Sequence, residues 1–161
     1  MKMLLTFLVS FFAFFQNSDL ESLRNSYAKA NSSNDATRAF IQTASKKTSA
    51  DPAVIGYKAA AQIMEAKVTT EKNKRKTFVK TGATQLENVV KSNPNNVELR
   101  LIRLSVQENL PKIVGYSKNI KEDKIFLIAN YPKQNSAMKN YIKRFAMQSK
   151  SMSAAEKTIF K

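Results

Sequence analysis

Apolar residues recur at helical spacing along most of this chain, but the first stretch is different. From Leu4 to Phe15 the run is apolar except for Thr6 and Ser10, and it has no polar face. Lys2 precedes it, and Gln16-Asn17-Ser18-Asp19 ends it abruptly. A basic start followed by a short apolar run is the pattern of a secretory signal peptide. A bilayer-spanning helix needs about 20 apolar residues, more than this run has. Residues 1–18 are therefore expected to be a signal peptide, cleaved between residues 15 and 19. Residues 19–161 are expected to form a single exported helical domain. The competing reading is a buried N-terminal helix.

After residue 18 the apolar positions predict seven helices. The first lies near 19–31, opened by a Ser18–Glu21 capping box, with Leu20, Leu23, Tyr27 and Ala30 inward. The second, near 35–47, turns Ala36, Ala39, Phe40 and Ala44 inward. Asp51-Pro52 starts the third, about 52–68, on a stripe of Ile55, Ala59, Ile63 and Ala66. The fourth covers about 71–92, with Phe78, Val79, Gly82, Leu86, Val89 and Val90. Asn93-Pro94-Asn95-Asn96 then restarts the chain as a fifth helix over 96–109, ended by Leu110-Pro111. Residues 112–118 read as a connection. The sixth helix covers 119–131, although residues 125–129 also fit a short strand. The seventh covers 136–149, and Ser153 with Glu156 predicts a last helical turn or two. The fold class is all-α. Antiparallel hairpins are stacked either as a short solenoid or as an irregular bundle of about seven helices.

The stretch Leu86-Glu87-Asn88-Val89-Val90-Lys91-Ser92-Asn93-Pro94-Asn95-Asn96 resembles the junction between two tetratricopeptide repeats. Val89 and Pro94 have the spacing of that junction, and Gly82 stands where the repeat has a small residue. The likeness covers about 78–110 and lacks the aromatic and Leu-Gly positions of the repeat's first helix. It implies a helix-hairpin architecture. The exported part as a whole is similar to small helical proteins of bacterial envelopes, which implies compartment and fold but no chemistry.

Composition narrows the chemistry. The 161 residues include no His, Cys or Trp. A Ser-His-Asp triad, an imidazole base, a thiolate nucleophile, a disulfide and a cysteine zinc site are all excluded. Gly56, Gly82 and Gly115 are too scattered for a phosphate-cradling loop. Ser26-Tyr27-Ala28-Lys29, Ser136-Ala137-Met138-Lys139 and Lys80-Thr81-Gly82 match fragments of penicillin-binding enzymes. The Ser-Asp-Asn element is absent, however, and Lys80-Thr81-Gly82 lies in a helical pattern rather than a strand. Glu122 and Asp123 are adjacent, which turns them to different sides of a helix and argues against a carboxylate pair. No enzyme activity, cofactor or metal is expected.

The charge is strongly basic: 27 Lys and Arg stand against 12 Asp and Glu, a net of +15, or +14 once Lys2 is removed with the signal. Residues 126–161 carry seven basic residues and one acid, Glu156. A basic seventh helix, with Lys139, Lys143 and Arg144 opposite Met138, Tyr141, Ile142 and Phe145, fits either a core cover or an anionic membrane surface. The run Glu71 to Lys76 reads as a solvated helix start or loop, with no aromatic residues interleaved for base stacking.

The fifth helix is the most informative segment. At about 100° per residue, Leu99, Ile102 and Val106 form one apolar face and Val97, Leu101 and Leu104 another. Arg100, Arg103 and Gln107 lie in the strip between them. Two readings of that strip compete. In one, the three side chains bind a carboxylate or phosphate of a partner, because guanidinium forks fit those groups. In the other, they pair within the fold, with Asp123, Glu65 and Glu87 as candidates, because a buried arginine usually has an internal partner. The sequence thus predicts a non-enzymatic module that binds another envelope or secreted protein. The alternative is an electrostatic binder of an anionic surface: lipid head groups, acidic polysaccharide or extracellular nucleic acid. Neither reading includes specific nucleic-acid recognition or a membrane span after signal removal.

Overall fold

The structure, a computed structural model, describes residues 19–161. The expected signal peptide, its cleavage site and the Ser18 cap lie outside the described residues. The chain is all-α, with eight helices and no strand among the described residues. The described residues divide into two compact units, 19–82 and 83–161, and the division falls inside the fourth helix.

The first unit contains α1 (19–29), α2 (Asn34–Ser45), α3 (Pro52–Val68) and the beginning of α4 (Arg75–Ser92). Side chains start the helices where the sequence offers them. Ser33 accepts from the Ala36 N–H at the head of α2, and Asp51 accepts from Ala53 N–H at 2.7 Å ahead of Pro52 in α3. At the centre are Tyr27, Phe40 and Tyr57, with ring centroids 5.0 to 6.4 Å apart and tilted or edge-on to one another. Leu23, Ala30, Ala44, Ala59 and Ile63 are also buried.

Three expectations need correction in this unit. Residues 72–74 form a 3₁₀ turn, so α4 begins at Arg75 rather than at 71. Arg75 and Lys76 are left in the first turn of α4, where cations oppose the helix dipole. Ala39 is exposed, and Thr37 is buried on α2 instead, with its hydroxyl donating to Ala30 O at 2.7 Å. Ile55 is also exposed. Because α3 is apolar on nearly every side, periodicity could not orient it. The burial of Tyr57 against the other two rings does so. Gly82 is needed where α4 meets α3. A Cβ there would lie 2.6 Å from Ala59 O and 2.6 Å from Ile63 Cγ1, too close for any other residue.

The second unit contains the rest of α4, α5 (Val97–Asn109), α6 (Ile120–Asn130), α7 (Ser136–Gln148) and α8 (Ala154–Thr158). Asn96 caps α5, Asn135 caps α7, and Ser153 with Glu156 forms the expected capping box of α8. Residues 125–129 lie within α6, which overturns the strand alternative; Ile125 points out and Leu127 is fully buried. Both apolar faces of α5 are buried. Val97, Leu101 and Leu104 join Leu127, Tyr141, Ile142, Ala146 and Phe160 in one core. Lys143 and Arg144 of α7 are exposed, with the Arg144 guanidinium 6.0 Å from the Tyr141 ring centre, while Tyr141 and Ile142 are buried, so this helix covers that core. No helix among the described residues is long and apolar enough to cross a membrane.

Candidate functional site

The strip on α5 is the centre of a polar network inside the second unit. Its position follows from the two apolar faces of the helix, which sink it and bring the polar strip in with them. Arg103 is 4% exposed and Asp123 is fully buried. The two make a fork-to-fork pair: Arg103 Nε donates to Asp123 Oδ2 and Nη2 to Oδ1, both at 2.7 Å. The third nitrogen, Nη1, donates to Glu87 Oε2 at 3.0 Å. Arg100 donates from Nη1 to Asp123 Oδ1 at 2.9 Å and to Glu122 Oε1, and from Nε to Pro94 O at 3.0 Å. Its guanidinium carbon sits 4.8 Å from the centre of the Phe126 ring.

Gln107 bonds to neither arginine. Its amide exchanges two hydrogen bonds of 3.2 Å with Asn119, one to the side chain and one from the backbone N–H. Asn119 also donates to Glu122, and the Tyr116 hydroxyl donates to Glu87 Oε1 at 2.7 Å. Among the described residues no buried side-chain nitrogen or oxygen lacks a partner.

The electrostatics follow from these pairs. Burial by itself would lower the Arg103 pKa, but the hydrogen bonds and charge of Asp123, then of Glu87, outweigh it and raise it further. Burial and the hydrogen bond to Glu87 push the Tyr116 phenol up. The Arg100 and Asn119 hydrogen bonds hold the Glu122 carboxyl below its usual range. The cluster therefore contains two guanidinium groups and three carboxyl groups, Glu87, Glu122 and Asp123. An incoming anion would have to displace a carboxyl group from each fork before it could bind. As built, the cluster acts as a pin that ties α4, α5 and α6 to the connection between α5 and α6.

Asp123 and Glu87 are thus internal partners of the arginines, as the second reading of the strip expects. Glu65, on α3, forms no ion pair with either. Glu122 and Asp123 do not diverge as their adjacency suggested, since both reach Arg100 Nη1. Sequence reading missed Tyr116, Asn119 and Phe126. The signal was present: Asn119, Asp123 and Phe126 are spaced three and four apart, which puts them on one helical face. Beside Arg100 a cleft of about 360 Å³ opens between Glu87, Lys91, Pro94, Arg103 and Glu122. Lys80-Thr81-Gly82 lies inside α4, and the Ser26 hydroxyl donates to carbonyls of its own helix. Comparison of the chain with protein-family models, with curated proteins and with solved structures finds no match.

Proposed function

We propose that this protein is an exported, non-catalytic helical module that attaches to an anionic surface through its lysines. The observation that carries this reading is the unequal use of the two signs of charge. At least eight of the twelve carboxylates are engaged within the fold. Glu87, Glu122 and Asp123 hold the arginines, Asp19 holds Lys47, Glu71 holds Lys74 and Glu156 holds Lys124. Glu108 accepts from Ser149 and Ser151, and Asp51 caps α3. Lys76, Lys80, Lys112, Lys118, Lys121 and Lys143 are exposed, and none of them forms an ion pair among the described residues. Pairing leaves the net charge unchanged, so the charge that remains for solvent is the lysine excess and the surface field is positive. The test is retention on heparin and on anionic vesicles over a salt series. Strong retention at low salt, lost as added salt shortens the Debye length, is the expected result. Weak retention at low salt contradicts the reading.

A second reading, a module that binds an envelope or secreted protein, is favoured by the cleft beside Arg100. Lys91 is exposed at its edge and could receive a partner's carboxylate without disturbing the arginine pairs. Crosslinking in the native envelope fraction should then capture one stoichiometric protein, and Lys91→Glu should lose it.

A further inference from the structure

The connection between α5 and α6 carries an apolar tip. Ile113 is 95% exposed and Val114 is 39% exposed, in a 3₁₀ turn at Lys112–Val114. Gly115 follows with φ +71°, a left-handed conformation that turns the chain back. A Cβ placed on Gly115 would meet nothing within 4 Å, so the tip stands clear of other atoms. The stem below it is fastened twice to the polar network. Tyr116 donates to Glu87, and Asn119 pairs with Gln107. The tip is thus held in one shape with its apolar side chains outward.

The surroundings of the tip indicate what it meets. No Asp or Glu occurs between Glu108 and Glu122, whereas Lys112, Lys118 and Lys121 do, all exposed. Glu122 and Glu87 are engaged by the arginines. Two apolar side chains are too few for a protein interface, which buries about 800 Å² on each partner. An apolar tip of that size with a fringe of lysines matches the boundary layer of a bilayer. Isoleucine and valine enter the acyl edge, while lysine ammonium groups stay with the phosphates.

We propose that residues 112–118 are a lipid-insertion loop that docks the protein on an anionic bilayer. This rests on the surface-binding reading above and assigns it a site and a ligand class. Because the chain has no tryptophan, Ile113→Trp gives a single reporter at the tip. The exported form carrying it, residues 19–161, is mixed with vesicles of phosphatidylcholine alone or with phosphatidylglycerol added. The expected result is a blue shift and quenching by brominated acyl chains, confined to the phosphatidylglycerol vesicles. Ile159→Trp, 47% exposed at the end of α8, should remain unquenched. In the wild-type background, Lys112→Ser with Lys118→Ser should weaken partition about 25-fold, from about fivefold for each lysine near an anionic surface. Ile113→Ser should weaken it about tenfold.

Equal quenching at residues 113 and 159 would overturn the loop's role, because it would place the contact elsewhere. Unchanged partition of Ile113→Ser would do the same while leaving surface attachment by charge intact. Retention on heparin without binding to any vesicle rejects the bilayer but keeps the charge reading, and failure on both removes the two together. Loss of vesicle binding with Ile113-dependent capture of a protein instead would show the tip to be a protein contact.

Discussion

In residues 19–82 the centre is three aromatic rings and a helix so rich in alanine that it is buried on almost every side. In residues 83–161 a mixed aliphatic and aromatic core is joined by a buried carboxylate with two arginines on it. Both regions are made of short helices with Ser, Asp or Asn caps. They differ in what a wrong arrangement costs. Apolar packing is non-directional and tolerates small shifts, whereas a buried fork needs its carboxylate at hydrogen-bond distance. The second region is therefore specified by direction as well as by volume, and it is the one that holds a loop with an outward apolar tip. A buried ion pair is not in itself a large source of stability, because desolvation opposes it. Fixing geometry is the role that suits it here.

Removing one side chain from each region should separate the two. Asp123→Ala strips Arg103 of its fork partner, leaving Glu87 at 3.0 Å and Glu122 at 3.7 Å, and should cost about 3–5 kcal/mol in urea unfolding. A loss below about 1 kcal/mol would mean that the cluster is solvated and does not organise its region. Phe40→Ala opens a cavity between two tyrosines and should cost about 3–5 kcal/mol. The two variants should differ in where they loosen the chain. Hydrogen exchange should rise first in α6 and the loop for Asp123→Ala, and in α1 to α3 for Phe40→Ala. Matching exchange patterns would show that the division at residue 82 has no energetic meaning.

Smaller effects sharpen the same contrast. Gly82→Ala forces a methyl group against a carbonyl oxygen and should cost about 1–3 kcal/mol, because backbone cannot move aside as a side-chain tip can. A neutral result would show that α3 and α4 are less closely packed than described. Acidification should act on the second region. Glu122 is held below 4.5 by Arg100 and Asn119, and Glu156 by the Ser153 backbone N–H and Lys124. A lowered folded pKa gives stability that is present above the unfolded value and lost as pH falls through the folded one. Unfolding midpoints followed by signals from residues 83–161 should therefore decline below about pH 4.5, and a flat profile there would contradict the pairing.

Much of this was legible in the sequence because the local signals agree with the final fold. Pro52 behind Asp51, the Asn-Pro turn before α5 and the Ser153–Glu156 box each mark a helix end found within a residue or two. The two faces of α5 could be read from spacing, and so could the strip between them. Two kinds of information could not. On α3 apolar residues surround the helix, so only the tertiary position of Tyr57 decides that Ile55 faces out. The partner of each arginine depends on which helices come together, and spacing within one helix does not contain that. The exposed Ile113 escaped notice for a related reason. In a connection without periodicity, nothing in the sequence separates an apolar residue that folds inward from one held outward by Tyr116 and Asn119.

The arginine strip is built as an internal pin and not as a free anion receptor. A double-mutant cycle on Arg103→Gln and Asp123→Asn, read by urea unfolding, tests it most directly. An internal pin gives a coupling of about 2–3 kcal/mol between the two positions, near the upper end for directly paired residues. Additive effects with a coupling below about 0.5 kcal/mol, in variants that remain folded, would contradict it and return the strip to the role of a partner-binding site.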